Sequence, residues 1–291
     1  MRIGAHLSVS GGYSETVRYA LECGSECIQI FAKSPRQWKA APIDPDRAQE
    51  FSSLRDENDL GPLFTHTAYL INPATSDEAL REKSIEALAD EIVRGRVLGA
   101  AGVVTHLGND PAGDAREAAR RVAAAIEAAF ERTGSHDPST ALLLENTAGA
   151  GTTFGSSAEQ LGWVFEALHA DVRACVGVCI DTCHAHAAGI DLTDAAGWEV
   201  LLGDIERSCG ADAVHLVHAN DCKFERGSLK DRHEWIGDGF LGEECFSAML
   251  CSPRLATVSA ITEMPGEVPI KDIENLGRLR RLREECGRPE S

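Results

Sequence analysis

Nine residues carry the chemistry of this sequence: His66, His106, Glu145, Asp181, His184, His218, Asp231, His233 and Glu263, five imidazoles and four carboxylates. Six of them close short apolar runs. PLFTH ends at His66, GVVTH at His106, TALLLE at Glu145, CVGVCID at Asp181, VHLVH at His218 and TVSAITE at Glu263. Groups of this kind, gathered at one place and removed from water, are costly without a counter-charge. Metal ions supply one. Two local motifs add donors. In CIDTCHAH, His184 follows Asp181 by three residues at the expected start of a helix, so both side chains lie over the same strand end; His186 is read as structural. In LKDRHEWIG, Asp231 and His233 flank Arg232. Residues two apart in extended chain point the same way, so this pair can grip one ion while Arg232 points elsewhere. Nine donors exceed one tetrahedral ion and suit three if one carboxylate bridges. Nitrogen-rich ligation points to zinc or a similar transition metal rather than magnesium or calcium. Three divalent ions, four carboxylates and a bridging hydroxide leave a pocket of about +1, which lets a strongly acidic protein hold a phosphate at short range.

Such a cluster needs elements that bring distant residues to one mouth. Eight apolar runs read as strands: 2–6, 26–32, 62–66, 102–106, 140–145, 175–181, 214–218 and 257–263. Helical segments alternate with them near 13–22, 45–58, 77–98, 114–132, 157–169, 194–207, 241–250 and 271–285. The clearest is 77–98, where Ile85, Leu88, Ala89, Ile92, Val93 and Val97 recur with helical spacing, Ser76 and Asp77 offer an N-cap, and Gly99 a stop. Eight alternating pairs predict a closed (β/α)8 TIM barrel as one domain over 1–291. A doubly wound open sheet is the alternative, but no G-x-G-x-x-G follows the first strand. The glycine-rich stretch 147–155 lacks a following G-K-[ST] and is read as a tight loop, not a P-loop.

Composition narrows the classes. The chain has 291 residues, 28 Lys+Arg against 46 Asp+Glu, and a formal net charge of -18. That balance argues against loose, non-specific binding of a polyanion. Apolar content of 43% is that of a globular protein. No stretch approaches the ~18 uninterrupted apolar residues of a membrane span, and the start has no signal-peptide pattern, so the expected location is the cytoplasm. The ten cysteines show no C-x-x-C and no paired framework. Most are expected to be reduced and buried.

The sequence resembles the endonuclease IV family, the metal-dependent apurinic/apyrimidinic endonucleases of base-excision repair. The resemblance runs from Met1 to about residue 275 and is carried by RIGAHLSVSGG, SPRQWKAAP, HTAYLIN, THLG, LLLENTAGAGTTFG, GVCIDTCHAHAAGID and HANDCKFERGSLKDRHEWIGDGFLG. It implies a xylose isomerase-like barrel holding three zinc ions. One would sit on His66, His106 and Glu145, a second on Glu145, Asp181, His218 and Glu263, and a third on His184, Asp231 and His233, with Glu145 bridging. All nine positions hold the expected residue type; Cys222, the Met-Pro-Gly after Glu263 and Thr67-Ala68 depart from the usual pattern. The implied reaction is hydrolysis on the 5′ side of an abasic site, leaving a 3′-hydroxyl and a 5′-deoxyribose phosphate. A hydroxide shared by two zincs would attack phosphorus and the third zinc would stabilise the leaving oxygen. Trimming of blocked 3′ ends follows from the same geometry. The partner is double-stranded DNA, no membrane is involved, and a monomer suffices. Arg36, Tyr69 and Leu70 are implied to wedge into the duplex, supported by Lys33, Gln37 and Trp38. The competing reading is a divalent-metal sugar isomerase or epimerase on the same barrel; zinc storage is a weaker one.

Overall fold

The computed structural model describes residues 1–286. The chain alternates β1 (Ile3–Leu7), α1 (Tyr13–Cys23), β2 (Cys27–Phe31), α2 (Pro45–Glu57), β3 (Leu63–His66), α3 (Glu78–Val97), β4 (Gly102–His106), α4 (Ala115–Thr133) and β5 (Ala141–Glu145). It continues through α5 (Ala158–Ala167), α6 (Ala170–Arg173), β6 (Val176–Asp181), α7 (Thr182–Ala187), α8 (Ala195–Cys209) and β7 (Val214–His218). A small hairpin of β8 (Asp221–Cys222) and β9 (His233–Glu234) precedes α9 (Gly242–Cys251), β10 (Ser259–Thr262) and α10 (Ile270–Glu285). Eight strands, β1 to β7 with β10, pair in parallel and close on themselves, β1 meeting β10 through Ile3↔Ala260. This is the barrel that the alternation predicts, and each expected strand and helix appears within a few residues of its place.

Strand parity explains the core. One set of buried side chains, including Val103, Leu142, Leu144, Ile180, Val217 and Ala260, faces the helices. The alternate set, Cys27, Phe64, Val104, Ala141, Leu143, Cys179, Leu216 and Ile261, forms its own cluster and fills the barrel interior. Two residues further along each strand, parity is kept, so the next inward layer lies at the carboxyl ends.

One expectation needs correction, and the expectation that most cysteines are reduced and buried holds with one exception. Val93 and Val97 on α3 are exposed, at 42% and 43%, because the buried side of that helix turns toward Glu91 and Arg94 instead. Asp77 does cap the helix, accepting from Leu80 N–H at 2.9 Å, and Gly99 follows with φ 66°. Among the ten cysteines one pair is bonded, Cys251 at the end of α9 to Cys286 just past α10. They lie 35 residues apart, and only the packing of α10 beside α9 brings them together. The other eight are free, and seven of those are buried.

Candidate metal centre

The layer above the lumen cluster takes His6, Gln29, His66, His106, Glu145, Asp181 and His218 from seven strands and Glu263 from the position just past β10. Each stands two positions beyond an inward or glycine position, as Leu143 precedes Glu145 and Leu216 precedes His218. The pairing register sets neighbours side by side, with His106 opposite Glu145, Asp181 opposite His218 and His6 opposite Gln29. Glu145, Asp181 and His218 are almost wholly buried, at 1%, 0% and 0%.

Two further pieces bring in the remaining donors. Asp181 ends β6 and caps α7: its Oδ1 accepts the His184 N–H at 2.7 Å, so Oδ2 is left facing inward. The same cap swings His184 over the strand end. On the other side the hairpin pairs Cys222 with His233 and returns the loop 223–232 across the mouth. Buried Asp221 shapes that return by accepting backbone N–H groups of Cys222, Gly237, Gly239 and Leu241 at 2.7 to 3.1 Å. Asp231 and His233 then converge on His184, with Asp231 Oδ2 3.2 Å from His184 Nε2 and Oδ1 3.3 Å from His233 Nε2.

The nine predicted donors fall into three groups, His66–His106–Glu145, Glu145–Asp181–His218–Glu263 and His184–Asp231–His233, and Asp181 and His233 also group with buried Cys183. Within each, one candidate ligand atom per residue lies within 4.8 Å of the others. Glu145 belongs to two groups: Oε2 is 3.1 Å from both His66 Nε2 and His106 Nε2, and Oε1 is 3.2 Å from His218 Nδ1. His186 lies outside them and is buried, with neither ring nitrogen hydrogen-bonded.

Imidazole orientation tests whether this set suits a metal. His66, His184 and His233 donate Nδ1–H to the carbonyl oxygens of Thr67, Asn146 and Glu263, each at 2.9 Å. Their Nε2 atoms therefore turn to the carboxylates, and that of His233 is buried with no hydrogen-bond partner. A fixed outer N–H with an inner nitrogen aimed at carboxylates is the arrangement metal-ligating histidines take. A proton or a cation must lie between each such pair, since lone pairs facing one another repel. The electrostatics agree. Burial opposes charge at Glu145, yet His106 and His218 hold its carboxyl well below the usual range. Burial likewise opposes charge at His184, and Asp181, Asp231 and Glu145 raise it well above the ordinary imidazole value. His233 rises to about 9 against its own burial, chiefly through Asp231. The donor set of nitrogen and oxygen atoms, with no cysteine among the nine residues, suits zinc-like ions at an open catalytic site.

Asparagines brace the carboxylates. Asn220 donates to Asp181 Oδ2 at 2.7 Å and to Glu263 Oε2 at 3.3 Å, and Asn146 Oδ1 accepts the Asp181 N–H at 2.7 Å. His6, Gln29, Asn146, Asn220 and Asp221 were not singled out from the sequence. For His6 and Gln29 the signal is strand parity carried to all eight strands; for the asparagines and Asp221 it exists only in three dimensions.

The expected DNA-facing residues sit on two loops beside this mouth. Tyr69 N–H donates to Pro35 O at 3.2 Å, which ties the loop after β3 to the loop after β2. Tyr69 is 65% exposed, with Arg36 and Gln37 exposed and Leu70 and Trp38 half-buried. Tyr69 meets the Phe31 ring edge-on at 5.4 Å. Lys33 is a correction. Its side chain is fully buried, with Nζ 2.7 Å from Asp90 and donating to Trp38 O at 3.2 Å, so it anchors the loop from beneath and presents no charge outward. Gly108, at φ 86°, lets the neighbouring loop approach: a Cβ there would stand 2.0 Å from Asn72 Oδ1, which accepts the Asn109 N–H.

Residues 17–284 match the family described as xylose isomerase-like TIM barrel. A protein called probable endonuclease 4 from Methanoculleus marisnigri is 39% identical over 280 residues, covering 96% of this chain and 98% of its own. The crystal structure of endonuclease IV from Thermus thermophilus superposes with a TM-score of 0.85 at 34% identity, covering 98% of this chain and all of that one. A D-tagatose 3-epimerase-like protein superposes with a TM-score of 0.71 at 18% identity over 98% of this chain and 99% of that chain, a likeness of fold alone.

Proposed function

The chain belongs to the endonuclease IV family, and from that premise we propose that it is an apurinic/apyrimidinic endonuclease of DNA repair that hydrolyses the phosphodiester on the 5′ side of an abasic site. The observation that carries this reading is the sorting of nine donors into three groups, two of which share Glu145. His66, His106 and Glu145 would hold one zinc; Glu145, Asp181, His218 and Glu263 a second; His184, Asp231 and His233 the third. Zinc so held supplies positive charge to a phosphodiester and lowers the pKa of water to about 7. No serine, cysteine or free histidine nucleophile is assigned. The protein's own residues set the geometry: Glu145 spans two groups, Asn220 and Asn146 keep Asp181 and Glu263 aimed inward, and the hairpin carries Asp231 and His233 to the open side.

The substrate reading adds the two loops. An abasic sugar must leave the helix to reach the mouth, at a cost of a few kcal/mol. Arg36, Tyr69 and Leu70 stand where a side chain can fill the gap left in the stack, with Gln37 and Trp38 beside them and Lys33 bracing the loop. Because the protein as a whole repels DNA, attraction must come from the loaded mouth at short range. The expected products are a 3′-hydroxyl and a 5′-deoxyribose phosphate, blocked 3′ ends are trimmed at the same site, and a monomer is sufficient.

A sugar isomerase or epimerase needs one or two ions; the third group and the exposed Tyr69 are surplus to that chemistry. Incubation of the zinc-loaded protein with a duplex bearing one abasic analogue tests the proposal. A single nick 5′ to the lesion, with a 3′ end that a polymerase extends, is expected. An intact duplex, together with turnover of a keto sugar, would transfer the protein to the isomerase class.

A further inference from the structure

Gln29 lies at the centre of β2, is completely buried, and reaches three side chains of the mouth. Its Oε1 accepts from His218 Nε2–H at 2.9 Å. Its Nε2 donates to Glu263 Oε1 at 2.9 Å and lies 2.9 Å from His6 Nδ1. These contacts leave one amide orientation. A flipped amide would set a carbonyl oxygen against the Glu263 carboxylate and an N–H against the His218 N–H. Both ends of the group are thus used at once.

The consequence falls on His218. The other imidazoles with a defined outer contact, His66, His184 and His233, give Nδ1–H to backbone carbonyls and turn Nε2 inward. His218 is inverted: Nε2 is outward and Nδ1 faces Glu145 at 3.2 Å and Glu263 at 3.4 Å. Its outer partner is a side chain, and that same side chain sets the Glu263 carboxylate. We propose that Gln29 is a positioning residue for the second metal position, fixing the His218 tautomer that offers Nδ1 and the carboxylate plane of Glu263 in a single amide. His6 completes the unit. It is buried, with Nδ1 2.9 Å from Gln29 Nε2 and 3.2 Å from Glu263 Oε1, so it packs against the same amide and the same carboxylate. The inference rests on the proposed reading of the mouth as a metal centre, and it concerns one of the three positions only.

The experiment is stepwise zinc release by a competing chelator from wild type and Gln29→Met, a nearly equal-sized side chain without either hydrogen-bonding end. One of the three dissociation constants should weaken by about 10- to 100-fold, the usual effect of losing an outer partner of a metal ligand. The other two should stay within about threefold, which a general loosening of the barrel would not spare. In the loaded wild type, long-range ¹⁵N–¹H spectra should show His218 with Nε2 protonated and Nδ1 coordinated, a readout that stands even if the variant fails to fold. Wild type that takes up no metal overturns the underlying reading. Wild type that loads fully, while Gln29→Met releases all its zinc with unchanged constants or His218 binds through Nε2, overturns the role of Gln29.

Discussion

The two ends of the barrel treat charge in opposite ways. At the floor, where strands begin, key charges meet opposite ones built into the chain. Arg283 grips Glu26 with two hydrogen bonds of 2.6 and 2.7 Å and also donates to Met1 O. Arg2 pairs with Asp59 at 2.6 Å and donates to the carbonyls of Glu26 and Gly61. These contacts fasten α10 and the entrances of β1, β2 and β3, and the Cys251–Cys286 bond lies at the same end. At the mouth, carboxylates meet imidazoles, and no lysine or arginine is among the nine donors. A floor of matched pairs needs nothing more and serves stability. A mouth whose carboxylates face titratable rings and neutral amides, with no fixed positive charge among them, calls for added positive charge and suits chemistry.

Substitutions at the two ends should separate these roles. Glu145→Gln is expected to have the largest effect, because one oxygen of the carboxylate common to two groups is replaced by an amide nitrogen that offers a cation neither charge nor a lone pair. Nicking of an abasic duplex should fall by more than about 100-fold, with lowered metal content and an intact fold. Full nicking at reduced metal content would contradict the scheme. Tyr69→Ala at the rim should leave metal content alone and weaken binding to abasic duplex by about 10-fold, the scale of one lost stacking contact; a gel-shift titration reads this, and normal affinity would remove the wedge. At the floor, Glu26→Gln should cost about 1 kcal/mol of stability while activity and zinc content stay unchanged. Its pH dependence has a definite sign. Burial opposes the Glu26 charge, but Arg283 and the Ile3 N–H hold its carboxyl below the usual range. The pair therefore stabilises fully above the unfolded value of about 4.3, and that contribution is lost as pH falls through the lower folded value. Thermal melts of wild type and variant should converge in acid.

The mouth's half of this division was legible before the structure. Six strand-ending donors follow from alternation and from where each apolar run stops, and the i, i+3 and i, i+2 spacings of Asp181–His184 and Asp231–His233 survive because they depend only on local geometry. What escaped depends on contacts across the fold. Gln29 reads as a polar interruption in an apolar strand, and its value lies in His218, 189 residues away. Lys33 is expected among the residues that support the wedge against DNA; Asp90 on α3 claims its charge instead. Val93 and Val97 fit the helical period, yet the barrel turns Glu91 and Arg94 inward in their place. Cys251 and Cys286 give no spacing signal, since helix packing alone makes them neighbours.

Elemental analysis of the purified chain, reconstituted with zinc and freed of excess, addresses the central claim most directly. Three zinc ions per chain are expected in wild type, with a count that falls in Glu145→Gln. A chain that holds no tightly bound metal, or one ion that Glu145→Gln leaves in place, would contradict that claim.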